Sequence, residues 1–244
     1  MKKISRYEKL GFKVVLEQSW LNLTLDLLLQ QKTVAEIREI LNEAISVTGK
    51  RSAQTTKFAI SILSAWFDPE NDLVAFRDQL VTKAHSLPQA QWSALHWACL
   101  TASYPFLLSV STVFGRLLTL QDETTKAQLL SRLQDIYGTR ETVERALYYS
   151  MGTLVNLGLI EKNTKSGILT APEKITHIDD KLGMLLWKAI LHATQSNRLP
   201  VHSLRNSPAL YPFDMPEIYA GQKYEDLPEL CFNRYGSDEI LMLQ

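Results

Sequence analysis

TLQDETTKAQLLSRLQDIYG (residues 119–138), TRETVERALYYSMGTLVNLGLI (139–160) and LIEKNTKSGILTA (159–171) read together as a helix, a tight turn, a second helix and a short hairpin. In the first stretch Leu129, Leu130, Leu133 and Ile136 fall at helical spacing, and Gly138 stops the helix because glycine tolerates the left-handed conformation that follows a last turn. In the second, Thr139 is placed to accept from the orphan amides of a helix start. Glu141 sits in the first turn, where a carboxylate is favoured, and Val143, Ala146, Leu147, Leu154 and Leu157 form an apolar stripe ending at Gly158. In the third, two short apolar ends flank a Lys/Ser/Gly turn, the pattern of a hairpin.

This order of elements resembles a winged helix-turn-helix. The resemblance implies that the start of the second helix faces the major groove of double-stranded DNA and that the hairpin, the wing, lies on a neighbouring phosphate or minor-groove edge. Exposed on the helix would be Arg140, Thr142, Glu144, Arg145, Tyr148 and Tyr149, with Lys162 and Lys165 flanking the turn of the wing. Arg140 and Arg145 can bond bidentately to phosphate or guanine, whereas Glu141 and Glu144 repel phosphate unless they cap, pair internally or accept from a cytosine. Tyr148 and Tyr149 point about 100° apart on a helix, so both cannot be buried on one narrow face. One is expected at the surface, and Tyr149 is counted among the DNA-contacting candidates. A winged helix that binds protein, or that only packs, has the same pattern, because fold alone does not establish function.

The 26 basic and 26 acidic side chains of this 244-residue chain cancel. A nucleic-acid site must therefore come from local clustering, not from the global positive charge of an obvious DNA binder. A hydrophobic content of 45% is ample for a packed core and excludes a disordered chain. Cys99 and Cys231 lie far apart in apolar neighbourhoods, which favours a reduced, cytoplasmic pair over a disulfide. The basic start MKKISRYEKLGFK (1–13) is not expected to be an export signal, because Glu17, Asn22 and Asp26 interrupt any apolar run after it. Residues 84–115 carry no Asp, Glu, Lys or Arg, but Ser, Thr, His96 and Pro105 dilute them, so two buried helices broken at Pro105 are expected in place of a membrane span.

Helical periodicity dominates the first half of the chain. Residues 7–31 are predicted as one helix with Phe12, Val15, Leu16, Leu23, Leu27 and Leu28 on its apolar face. Thr33 and Glu36 form a capping-box pattern for the next helix, which Gly49 stops before Ser52 caps a third. Lys50, Arg51 and Lys57 occur with no acidic residue across 44–67, so a second, small phosphate-binding patch is expected there, which the basic N terminus (Lys2, Lys3, Arg6, Lys9, Lys13) could extend. The bland alternative is an ordinary amphipathic helix whose Phe58, Ile62 and Trp66 enter the core. The segment KRSAQTTKFAISIL (50–63), followed by a helical middle containing ASYPFLLSVSTVF (102–114), resembles the BrxA family of bacterial BREX phage-defence systems. That resemblance implies a non-enzymatic DNA-binding accessory of a multi-protein antiviral system, with Lys50, Arg51 and Lys57 in the matching basic segment.

A catalytic constellation does not assemble from these residues. The five histidines lack metal-ligand spacing, there is no Walker-type loop, dinucleotide fingerprint or nucleophile elbow, and the compact His177/Asp179/Asp180 group suits a helix cap. No cofactor or metal is expected. The fold class that follows is mainly α: a helical bundle over 1–119, the winged helix-turn-helix over 120–175, and over 176–244 a helix from about Asp179 and then a proline-rich, β-containing end around Gly236. The leading functional expectation is binding of duplex DNA without catalysis. The alternatives are an adaptor that holds protein partners, with self-association possible, and an enzyme whose dispersed carboxylates converge only on folding.

Overall fold

A computed structural model describes residues 5–8, 10–49, 52–218, 227, 229–236 and 238–244. The chain is mainly helical, with two small antiparallel sheets. Six helices come first: α1 (Gln18–Leu29), α2 (Val34–Gly49), α3 (Ala53–Phe67), α4 (Val74–Ala84), α5 (Ser93–Ser103) and α6 (Pro105–Leu118). Then follow β1 (Glu123–Thr124), α7 (Lys126–Tyr137), α8 (Glu141–Asn156), β2 (Glu161–Lys162) and β3 (Leu169–Thr170). The remainder comprises α9 (Asp180–Ala193), β4 (Arg198–Pro200), α10 (Val201–Arg205), β5 (Leu230–Tyr235) and β6 (Asp238–Leu243).

Local chemistry accounts for most of these boundaries. Thr33 and Glu36 form the expected reciprocal cap of α2, the Thr33 amide donating to the Glu36 carboxylate at 2.8 Å and the Glu36 amide to the Thr33 hydroxyl at 3.3 Å. Ser52 accepts from the Thr55 amide at the start of α3, and Asp179 accepts from the Leu182 amide at the start of α9. Pro105 divides the uncharged stretch into α5 and α6, where it occupies the first turn of the second helix. Among the described residues no helix is long and apolar enough to cross a membrane. Both cysteines are free.

Two expectations about local structure are corrected. The helix expected over residues 7–31 begins only at Gln18; residues 10–17 run as irregular chain after Gly11, which takes φ 88°. Tertiary bonds take the place of helical ones in that segment. The Leu16 amide donates to Thr153 Oγ1 at 3.0 Å, and Asn156 Nδ2 donates to the Leu16 carbonyl at 2.9 Å. The second correction concerns Thr139, which does not cap α8. Arg140 is the N-cap residue, without a side-chain cap bond, because the turn at Gly138 places the first helical residue at Glu141.

Two helices lie inside along nearly their whole length. All ten residues of α5 from Ser93 to Ala102 and all twelve of α9 from Leu182 to Ala193 are buried, and the two pack against each other. Such helices bring polar groups with them. The Lys188 ammonium, on a side chain 2% exposed, donates to Gln79 Oε1 at 2.8 Å and pairs with Glu229 at 2.9 Å. Lys83 pairs with Asp179, and Arg6 with Glu70 and Asp72. One continuous apolar cluster runs from Phe12 through α5, α6, α8 and α9 to Leu241, so residues of the N-terminal, middle and C-terminal stretches share a core. Trp92 and Trp97 are part of it.

Two results are expected. A Cβ on Gly115 would lie 2.0 Å from the carbonyl oxygen of Pro208. Gly115→Ala should therefore destabilise by about 2–3 kcal/mol in urea unfolding, overriding the roughly 1 kcal/mol by which alanine favours a helix. Burial holds His96 neutral down to about 3, and burial with Lys188 and Arg6 nearby holds His192 neutral down to about 4. The unfolded chain protonates histidine near 6.5, so below that pH it binds protons the folded state refuses, and stability falls as the pH drops from 6.5 towards those values. Each histidine should remove about 2 kcal/mol by pH 5. Urea midpoints at pH 7.5 and 5 measure the loss, and His96→Gln/His192→Gln should flatten it.

Candidate nucleic-acid interface

The unit between residues 119 and 171 is assembled by short-range caps and closed by a long-range strand pair. Thr125 and Gln128 form a capping box at the start of α7, and Leu129 and Leu133 bury its inner face. Ile136, assigned by spacing to that face, is instead 61% exposed, because Tyr137, the last residue of the helix, takes the inward place against Phe106. Gly138 at φ 80° turns the chain into α8, whose Val143, Ala146, Leu147, Met151 and Leu154 are buried. Strand β3 lies between β1 and β2, with Glu123 opposite Thr170 on one side and Glu161 opposite Thr170 on the other. Helix α6 packs against β1, α7 and α8 and completes the unit.

The hairpin turn is internally braced. Asn163 Oδ1 accepts from the amides of Lys165 and Ser166 at 2.9 and 3.1 Å, and Gly167 at φ 72° returns its amide to the Asn163 carbonyl. Lys162 and Lys165 project from this rigid turn into solvent and make no ion pair among the described residues.

On α8 the outward residues are Glu141, Thr142, Glu144, Arg145 and Tyr148. Both acids are paired: Glu141 with Arg145 at 3.2 Å, one turn on, and Glu144 with Lys126 of α7 at 2.8 Å. Arg140 is exposed and donates to the Tyr137 carbonyl at 2.8 Å. Tyr148 is the exposed tyrosine, with the Lys126 ammonium 5.9 Å from its ring centroid, whereas Tyr149 is half-buried against the core. Lys126 was not among the residues singled out from the sequence, because its place beside Glu144 and Tyr148 depends on the angle between α7 and α8.

The rear of α8 is clasped by the N-terminal segment. Val15 packs on Gly152, where a Cβ would come within 2.7 Å of it, and Thr153 Oγ1 accepts from Leu16 while donating to the Tyr149 carbonyl. The same segment answers whether the basic N terminus meets α3: the Lys13 ammonium lies 5.2 Å over the Phe58 ring, beside exposed Lys57. Arg6 does not extend that patch. It is 6% exposed and committed to Glu70, Asp72 and the His192 carbonyl. Lys2, Lys3, Lys9, Lys50 and Arg51 lie outside the described residues.

The His177/Asp179/Asp180 group is structural in its central member. Burial pushes the Asp179 carboxyl up, but the bonds from Lys83 and the Leu182 amide outweigh it and hold the group below its ordinary range. No cluster of three or more His, Cys, Asp or Glu side chains suited to a metal ion occurs among the described residues. Comparison with protein-family models, with curated proteins and with solved structures finds no match to this chain.

Proposed function

We propose that this protein binds duplex DNA through a winged helix composed of α6, β1, α7, α8, β2 and β3, with the start of α8 in the major groove and the β2–β3 turn on adjacent backbone. The observation that carries the reading is the pairing of β1 with β3, which ties the strand before the helix pair to the returning strand of the hairpin. Helix and wing are thereby held as one body, which reading two neighbouring parts of a duplex requires. Arg140, Thr142 and Arg145 supply helix contacts, Lys162 and Lys165 wing contacts, and Tyr148 or Tyr149 reaches sugar or phosphate beside them.

The acids on α8 do not defeat this reading. An exposed Arg–Glu pair is worth about 0–1 kcal/mol, whereas a bidentate arginine–guanine contact discriminates by about 1–3 kcal/mol. Arg145 can thus exchange Glu141 for a base with net gain. Overall neutrality and matched charges within the unit give little attraction at a distance, so sequence-independent binding is expected to be weak. The protein's chemistry, on this reading, is binding alone. The resemblance of residues 50–63 to BrxA extends it to an accessory of a bacterial phage-defence complex.

A second reading, a protein-interaction adaptor, draws on the exposed Ile136 and Tyr148, which offer apolar anchors on the same unit. Fluorescence anisotropy on a mixed-sequence duplex across a salt series separates the two. Arg140, Lys162 and Lys165 make no ion pair among the described residues, so these three contacts should contribute about −3 to the log–log salt slope, and Arg140→Ala/Arg145→Ala should weaken binding at least about 10-fold. Absence of binding by the folded wild type at low salt, or equal binding by the double variant, overturns the DNA reading.

A further inference from the structure

We infer that the DNA-contacting surface continues from α8 onto α3, where Lys13 and Lys57 make a second contact with the phosphate backbone of the same duplex; this inference rests on the duplex-binding reading of α8. The two lysines come from segments 44 residues apart, and neither makes an ion pair among the described residues. Lys13 is not free to wander, because its ammonium sits over the half-buried Phe58 ring at 5.2 Å. On α3, Gln54, Lys57 and Ser61 fall three and four residues apart and form one exposed stripe. These are side chains that bond phosphate and sugar oxygens without reading bases.

The stripe joins the start of α8 through an unbroken chain of contacts. Tyr104 donates its hydroxyl to the Ser61 carbonyl at 3.3 Å and packs edge-on against Phe12, the neighbour of Lys13, at 5.2 Å. Two residues on, Phe106 packs edge-on against Tyr137 at 5.2 Å, and Ser109 and Tyr137 share a hydrogen bond of 2.7 Å. Tyr137 in turn accepts at its carbonyl from Arg140. Along this path the stretches 44–67 and 79–121 contain no Asp or Glu, and the exposed acids beside Tyr137 and Arg140, Asp135 and Glu141, are paired with Arg132 and Arg145. The carboxylate whose field reaches Tyr104, that of Glu70, is held by Arg6 at 3.3 Å. The α3 end of this surface, with lysines, an amide and a hydroxyl and neither an acid nor a large exposed apolar side chain within the stripe, suits a polyanion better than a protein partner.

Anisotropy with the intact protein on duplexes of about 30 and about 10 base pairs, across a salt series, tests the contact, since one helical turn accommodates only the α8 footprint. Lys13→Ala/Lys57→Ala is expected to weaken the long duplex about 5–20-fold and to flatten its salt slope by about two, leaving the short duplex unchanged. Lys13→Arg/Lys57→Arg should restore long-duplex affinity, because arginine keeps the charge. Wild-type affinity and slope for the alanine variant on the long duplex, with Arg145→Ala still weakening both lengths, overturns the second contact and leaves the α8 reading standing. An equal loss on both lengths overturns its placement beyond α8. Failure of the folded wild type to bind either duplex overturns both readings.

Discussion

The back-to-back burial of α5 and α9 is the constraint on which the remaining architecture depends. A helix that is apolar on every side has no face to give to water, so it must be surrounded. Around this pair the other helices are layers of cover, and the polar groups the pair carries inward dictate who covers what. Lys188 requires Gln79 from α4 and Glu229 ahead of β5. Trp97 Nε1 requires Ser111 of α6, at 3.1 Å, and His96 Nε2 meets Asn22 of α1, at 2.9 Å. Leaving any of these buried groups without its partner costs about 1–3 kcal/mol, and more for the ammonium, so each bond also selects the arrangement of its element.

Helix α6 transmits that order outward. At Gly115 its backbone approaches the Pro208 carbonyl so closely that no side chain fits, which seats its C-terminal half on the proline-rich segment. At its other end Phe106 and Ser109 hold Tyr137, the last residue of α7. The chain entering α1 adds a clasp on the far side of α8 through Val15 and Leu16. The helix that faces outward with Thr142, Arg145 and Tyr148 is thus fixed from behind by two elements remote from it in sequence. The proposed duplex contact needs such a base, because hydrogen bonds to base edges or phosphates lose value when the groups that make them must first be ordered.

Charge in this protein works at short range. With equal numbers of acids and bases there is no broad field to draw a polyanion in, and the acids on α8 are each answered by a neighbouring cation. Among the cations that make no ion pair with the described residues are Lys162 and Lys165 on the hairpin, Arg140 at the turn, and Lys13 and Lys57 on the α3 side. Such a distribution favours discrimination over bulk attraction.

Residues adjacent in sequence made much of this legible. The capping box at Thr33, the breaks at Pro105, Gly138 and Gly158, and the hairpins around Gly167 and Gly236 all depend on interactions within a few residues. Their strength is set by the backbone conformations and side-chain lengths of those few residues. The tertiary structure alone decided that Gln18 and not Tyr7 starts the first helix, that Ile136 faces solvent, that Arg6 is buried among carboxylates, that Lys126 answers Glu144, and that β1 pairs with a strand 46 residues away. These outcomes turn on how segments distant in sequence pack against one another. Periodicity and capping rules describe a segment's options, and the choice among them is made by groups that only folding places beside it.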